Sequence, residues 1–250
     1  MPISRPVAAA QTIPWRGDIA ANLGEHVRLI ALAATRDVGL LVFPELSLTG
    51  YELDLAPQLA FSEQDARLDP LRELALSRGI TLVVGAPVRV GERLHIGAFI
   101  VSAQGSLDLY TKQRLGAFPP EVNPGGVVPP AEASVFEPGD RDPLFSYAAD
   151  RTAAMAICSD IGNPMHASHA ADRGATCYLA SMFVIPSDYT SDTARLEGYS
   201  RQHSLNVIFA NYGGPSGGLP SAGRSAIWSA QGKLLAQLEP SGSGLAVALL

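Results

Sequence analysis

Gly39-Leu40-Leu41-Val42-Phe43-Pro44-Glu45 is the stretch on which the reading of this chain turns. Leu40 to Phe43 form a short, fully apolar run closed by Pro44, the pattern of a buried strand. The run ends on a carboxylate, Glu45. Two more segments have the same form: Leu107-Asp108-Leu109-Tyr110-Thr111 leads into Lys112, and Ala153-Ala154-Met155-Ala156-Ile157 leads into Cys158. A carboxylate can act as base, an ammonium can stabilise an oxyanion and a thiol can attack. Placed at strand ends, the three are what a cysteine-nucleophile hydrolase needs.

Outward from these runs, strands and helices alternate. Val7 to Gln11 reads as a first strand. Asp18 to Arg36 carries Ile19, Leu23, Val27, Ile30, Ala31 and Ala34 at helical spacing. Asp65 to Arg78 reads as a second helix, with Gly79 fitting its end. Ile80 to Val84, Leu94 to Ser102 and Leu107 to Thr111 read as strands, separated by the turns Val90-Gly91-Glu92-Arg93 and Ala103-Gln104-Gly105. Residues 116 to 143 are rich in Pro and Gly, and a loop that long in a compact domain is usually functional or disordered. After the strand Ala153 to Ile157, Asn163 can cap a helix with Pro164 at its first position, running to about Arg173. Thr176 to Ser181 is a strand, Asp192 to Leu205 a helix and Val207 to Asn211 a strand. Gly213 to Gly218 reads as a flexible loop. Arg224 to Ser229, Leu234 to Leu238 and Leu245 to Leu249 close the chain as short strands. This order predicts α/β layers with a mixed sheet, in one domain spanning residues 1–250.

Composition narrows the function. Charged residues are 17% of 250 and apolar residues 47%, against about 25% charged in an ordinary soluble domain. The expectation is a large core, part of it buried against another subunit. A net charge of -6 and pI near 5.3 argue against a nucleic-acid surface. No apolar stretch approaches the ~18 residues of a membrane span. Met1 to Gln11 lacks a convincing apolar signal region and reads as the first strand rather than a signal peptide. Two cysteines, Cys158 and Cys177, give no disulfide framework, so a reduced cytoplasm is expected. Of 18 basic residues only Lys112 and Lys233 are lysines. In so arginine-rich a chain, a lysine at a strand end hints that a compact point charge is required there; the other reading is a chance surface lysine.

Each candidate has two readings. Cys158 is either a small buried apolar residue or a nucleophile. The apolar strand, then Ser159-Asp160, then a capped helix favours the nucleophile, because a strand-to-helix turn exposes a side chain and aims backbone N–H groups at it. Cys177 has no such turn and reads as core. Glu45 is either a solvated loop acid or, beside Phe43, Leu46, Leu48 and Tyr51, a partly dry one whose pKa rises enough to serve as base; a nearby Lys112 would oppose that rise. His166 and His169 fall in the helix after Cys158, which points away from the thiol. Their spacing with Cys158 matches no common zinc pattern.

Taken together the blocks resemble the nitrilase superfamily, the carbon–nitrogen hydrolases. Leu41-Val42-Phe43-Pro44-Glu45-Leu46-Ser47-Leu48-Thr49-Gly50-Tyr51 resembles its glutamate motif, Tyr110-Thr111-Lys112-Gln113-Arg114-Leu115 its lysine motif, and Ile157-Cys158-Ser159-Asp160 its cysteine motif. Glu132, followed by Phe136-Glu137-Pro138-Gly139-Asp140, resembles the site of a second glutamate that helps hold the lysine and position substrate. The resemblance implies a four-layer α-β-β-α sandwich with two mixed sheets. It also implies pairing of subunits through helix layers as a homodimer or higher homo-oligomer, with no metal and no organic cofactor. The chain departs from amidase-like members at Gly162, where they carry an arginine, and at Tyr199-Ser200-Arg201-Gln202-His203. Ser159-Asp160 speaks against the nitrilase branch itself.

What the resemblance implies for function is hydrolysis of a small-molecule amide. Glu45 takes the thiol proton as Cys158 attacks, Lys112 and the Ser159 N–H hold the oxyanion, and Glu132 supports the lysine. Tyr51, Met182 and Phe183 are expected to form the pocket wall. Nitrile or N-carbamoyl hydrolysis on the same residues and a catalytically silent binding protein remain the alternatives.

Overall fold

The computed structural model describes residues 5–250; the opening of the Met1–Gln11 stretch lies outside them. The elements, in chain order, are β1 (Val7–Gln11), α1 (Ile19–Ala34), β2 (Leu40–Val42), α2 (Ala56–Leu59), β3 (Phe61–Ser62), α3 (Asp69–Arg78), β4 (Thr81–Val90), β5 (Arg93–Val101) and β6 (Leu107–Thr111). There follow β7 (Phe145–Ala148), β8 (Arg151–Ile157), α4 (Pro164–Asp172), β9 (Cys177–Ser181), α5 (Tyr189–His203), β10 (Asn206–Ala210), β11 (Ala226–Trp228), β12 (Leu234–Gln237) and β13 (Gly244–Ala248).

The strands form two mixed sheets. One runs β13-β1-β2-β4-β5-β6, with β3 also paired to β4; the other runs β12-β11-β10-β9-β8-β7. Side-chain alternation sorts each central strand between two cores. Leu40 and Val42 of β2, Met155 and Ile157 of β8, and Leu179 and Cys177 of β9 fill the space between the sheets. Leu41, Phe43, Ala8 and Ala10 face outward against Leu29, Ile30 and Ala33 of α1 and Leu71 and Ala75 of α3. Tyr178, Ala180 and Phe209 face outward beside Ala167 and Ala170 of α4 and Leu196 of α5. The result is the expected α-β-β-α layering, and it explains the unbroken apolar runs: these strands are covered on both faces.

Strand direction fixes where loops emerge. β1, β2 and β4 are mutually parallel. β5 runs antiparallel to β4, and β6 antiparallel to β5, so β6 shares the direction of β2. Lys112, just after β6, and Glu45, just after β2, therefore leave the sheet at the same end. In the other sheet, β8, β9 and β10 are parallel, and Cys158 follows the carboxyl end of β8. Ligand crevices of α/β sheets lie beyond these carboxyl ends.

Several boundaries differ from the sequence reading. β4 continues to Val90 instead of stopping at Val84, passing through Gly85-Ala86-Pro87, residues that read as strand breakers. The odd-numbered residues of β4 turn their polar groups toward β2: Thr81 N–H donates to Gly39 O and Gly85 C=O accepts from Leu48 N–H. Pro87 falls in that series, between the β2 ladder ending at Val83 and the β3 ladder starting at Val88. No neighbouring strand asks for its missing N–H. The α5 helix starts at Tyr189, ahead of the expected Asp192, and β3, β7 and α2 carried too little apolar periodicity to be seen. Gly213–Gly218, read as flexible, is anchored by Gly213 N–H to Thr12 O (2.8 Å) and Gly217 N–H to Glu52 Oε1 (2.9 Å).

Gly85 seats the segment that carries Glu45. A Cβ there would stand 2.4 Å from Leu46 N, 2.6 Å from Pro44 O and 3.0 Å from the Glu45 carbonyl carbon, all backbone atoms. Gly85→Ala is expected to lower stability by about 1–3 kcal/mol in urea unfolding. Gly24→Ala, at an exposed α1 position with nothing within 4 Å of the added carbon, is expected to raise it by up to about 1 kcal/mol. An unchanged midpoint for Gly85→Ala would contradict this seating.

Candidate active site

The three strand-end residues meet between the sheets. Lys112 Nζ donates to Glu45 Oε1 at 2.6 Å and to Glu132 Oε1 at 2.7 Å, and all three side chains are closed to solvent. Glu132 lies within the long Pro/Gly-rich segment, which is ordered here around its carboxylate. Oε1 also accepts from Tyr51 OH (2.7 Å), and Oε2 from Gly116 N–H (2.7 Å). Glu45 Oε2 is buried with no hydrogen-bond partner among the described residues. The Cys158 thiol is near enough for its hydrogen bonding to favour the charged Glu45 carboxyl, and for the Glu45 charge to act on the thiol.

The charges follow from this packing. Burial pushes the Glu45 carboxyl up, and the repulsion of Glu132 adds to that; Lys112 opposes it without prevailing, leaving Glu45 at about 7. Burial alone would pull Lys112 down, but Glu45, Cys158 and Glu132 outweigh it, so it stays protonated well above neutrality. Burial and the Glu45 charge push the Cys158 thiol up, with Lys112 working against them. Left to itself the sulfur is a thiol, and a neighbouring base is what would make it a nucleophile.

Cys158 sits at φ 45°, a left-handed conformation disfavoured for a residue with a Cβ. It opens a single helical turn, Cys158–Gly162, whose first N–H groups have no partner within that turn. The Cys158 Sγ lies 3.7 Å from Phe183 O. Asp160, which the sequence reading passed over, holds this turn. Its Oδ2 accepts from Ile157 N–H (2.9 Å) and Tyr110 OH (2.7 Å), and its Oδ1 from Gln113 N–H (3.1 Å) and Arg114 N–H (2.7 Å). One buried carboxylate thus ties the cysteine turn to the lysine strand. The available signal was an acid at the third position of a turn that opens on Cys158. Tyr110 OH also meets His166 Nε2 (3.0 Å), whose Nδ1 meets Tyr178 OH (2.8 Å). The ring nitrogens of His166 are occupied in this network, away from the thiol.

Two clamps cross between the sheets. Ser181 Oγ donates to Phe43 O at 2.8 Å, and Tyr212 OH donates to Glu45 O. Behind Glu45, Ser47 Oγ contacts His26 Nε2 (2.9 Å) and accepts from Gly85 N–H (3.2 Å). His26 stacks on Phe43 with ring centres 4.0 Å apart, and burial pulls it down to about 4, so it is neutral.

A cavity of about 240 Å³ opens onto the sulfur, and Tyr51, Phe118, Glu132, Cys158, Ser159 and Phe183 are among its walls. Of the three residues expected on the pocket wall, Tyr51 and Phe183 line this cavity. Met182 does not: its side chain lies in the outer core with Ala180, Tyr178 and Leu196. One residue earlier, Ser181 already turns inward, so strand alternation sends 182 to the helix side. Its place is taken by Phe118, which meets Tyr51 and Phe183 edge-on, each at 5.7 Å. Phe118 lies in the Pro/Gly-rich segment, where no periodicity marks an inward side chain. Among the described residues no group of His, Cys, Asp and Glu could hold a metal ion, and no helix is long and apolar enough to cross a membrane.

Known proteins share this arrangement of elements. A family model described as carbon-nitrogen hydrolase matches residues 6–250. A Pseudomonas protegens protein described as a hydrolase in the pqqF 5' region is 29% identical over 237 residues, 92% of this chain and 77% of its own. The glutamine-dependent NAD(+) synthetase of Thermotoga maritima is 26% identical over 92% of this chain, which spans 39% of the synthetase. Among solved structures, a cysteine-to-serine mutant of the Nesterenkonia AN1 amidase from the nitrilase superfamily superposes with a TM-score of 0.86 at 28% identity, covering 100% of this chain and 92% of that one. A cysteine-to-alanine mutant of the same amidase, in complex with butyramide, gives 0.85 at 27% identity over 99% of this chain and 90% of its own. The chain belongs to the carbon–nitrogen hydrolases of the nitrilase superfamily.

Proposed function

We propose that the protein hydrolyses small amides through a thioester on Cys158, releasing ammonia or an amine. The observation that carries this reading is the buried lysine bridging two carboxylates beside a thiol at the floor of a small cavity. Glu45, pushed up to about 7, is suited to take a proton and return it near neutrality. It accepts the thiol proton as the sulfur forms a bond to the amide carbon. The carbonyl oxygen gains negative charge, and Lys112 Nζ and the N–H of Ser159 stabilise it, each such donor contributing about 3 kcal/mol in the transition state. Collapse of the intermediate expels the amine, which receives the proton from Glu45. Water, losing a proton to the same carboxylate, attacks the thioester carbon; the C–S bond breaks, freeing the acid, and the sulfur takes the proton back from Glu45.

Glu132 positions Lys112 and is itself fixed by Tyr51 and Gly116. Tyr51, Phe118 and Phe183 supply an apolar wall, which suits a short acyl chain. The relatives support the substrate class: the Nesterenkonia AN1 amidase has been captured with butyramide, and with acrylamide added at its active site cysteine.

The direct test is ammonia release from matched amide, nitrile and N-carbamoyl compounds. The amide is expected to be turned over, and Cys158→Ala to abolish this while retaining the parent's circular dichroism. A higher kcat/KM for the nitrile or the carbamoyl compound would overturn the amide reading. Lys112→Arg keeps the charge but not the compact ammonium, and is expected to reduce kcat at least about 10²-fold; near-normal turnover would remove Lys112 from the oxyanion site. Because Glu45 must be ionised to act as base and its carboxyl stands at about 7, kcat/KM should fall as pH drops below that value, approaching about tenfold per unit. A profile that is flat from about pH 5 to about pH 9 would contradict its role as base.

A further inference from the structure

The charges around the cavity do not all cancel. Besides Glu132, its lining includes Arg114, Asp188, Asp192 and Arg195. Asp192 is paired with Arg195 at 2.8 Å. Asp188 accepts from Ser187 Oγ at 3.0 Å and stands at the N-terminus of α5, where the helix dipole favours a negative charge. Glu132 is committed to Lys112, Tyr51 and Gly116. That leaves Arg114.

Arg114 is fixed at its base and free at its tip. Its N–H donates to Asp160 Oδ1 at 2.7 Å, and its C=O accepts from Ser159 Oγ. Those are its hydrogen bonds among the described residues, and both are main-chain. The guanidinium enters no ion pair there. It lies over Gly162, where an added Cβ would stand 3.9 Å from Nε and 4.0 Å from Cζ. Any longer side chain at 162 would compete for the same space. A guanidinium is weakly hydrated and matches a carboxylate through two parallel hydrogen bonds. Its position on the wall that also bears Cys158 allows it to meet the far end of a short substrate.

We propose that Arg114 is a specificity-determining residue that selects amides whose acyl chain ends in a carboxylate, received by the guanidinium while the scissile carbonyl sits at Cys158. The inference rests on the amide hydrolysis proposed above. The small cavity limits the acyl chain to a few carbons. The attraction acts at a solvent-facing mouth, so it weakens as salt rises.

The test compares kcat/KM for three amides of similar length: butyramide, the monoamide of glutaric acid and 4-aminobutanamide. At low salt the wild type is expected to prefer the carboxylate compound over butyramide by roughly tenfold or more, and to disfavour the cationic one. In Arg114→Gln the carboxylate-to-neutral ratio should collapse toward one, chiefly through KM. Arg114→Lys should retain part of it, since charge remains without the paired geometry. Equal handling of the neutral and carboxylate amides by the wild type, or a ratio that survives Arg114→Gln, would overturn the inference while leaving amide hydrolysis standing. Failure to turn over any of the three would overturn both.

Discussion

The contact on which the site depends is the buried pairing of Lys112 with Glu45 and Glu132 at 2.6 and 2.7 Å. Removing such ions from water costs several kcal/mol each, and their attraction offsets the cost only when geometry is close and the spare lone pairs are occupied. Tyr51 OH and Gly116 N–H occupy those of Glu132. One oxygen of Glu45 is left without a partner. Two carboxylates share one ammonium, and burial, helped by the repulsion of Glu132, lifts the Glu45 carboxyl to about 7 against the pull of Lys112. The hydrogen bonding is asymmetric: Glu132 is committed to Lys112, Tyr51 and Gly116, while Glu45 gives one oxygen to Lys112.

Strand direction brings these groups together, and short contacts keep them there. β2 and β6 point the same way in one sheet and β8 belongs to the other, so each residue arrives on its own element. Asp160 binds the cysteine turn to the lysine strand, and Ser181 and Tyr212 bind the second sheet to the backbone of Phe43 and Glu45. Gly85 lets the glutamate segment lie against β4. The contacts that hold Glu45, Lys112 and Cys158 in place are thus distributed over residues outside the cavity lining.

Much of this was legible in the sequence because burial on both faces leaves an unmistakable mark. Gly39–Phe43, Ala153–Ile157 and Thr176–Ser181 read as strands, and Glu45, Lys112 and Cys158 at the strand ends were visible as a set. Other features depended on facts a linear reading lacks. Gly85 and Pro87 look like breakers until the partner on that side of β4 is known to be a loop. Met182 and Phe183 look equally apt for a pocket until the inward turn of Ser181 sets the alternation. Phe118 and Glu132 sit in a segment without periodicity, ordered by contacts from residues distant in the chain. Whether burial or Lys112 governs the Glu45 carboxyl was a question of balance, and burial governs.

The apolar wall and the guanidinium of Arg114 belong to the same cavity as Cys158, and the proposed chemistry turns on that sulfur. The most direct measurement is intact-mass and peptide mapping of acid-quenched protein during turnover of a short amide. The account predicts an added mass equal to the amide less ammonia, located on the peptide containing Cys158. Steady hydrolysis with Cys158 unmodified at every quench time, or with the adduct on another residue, would contradict it.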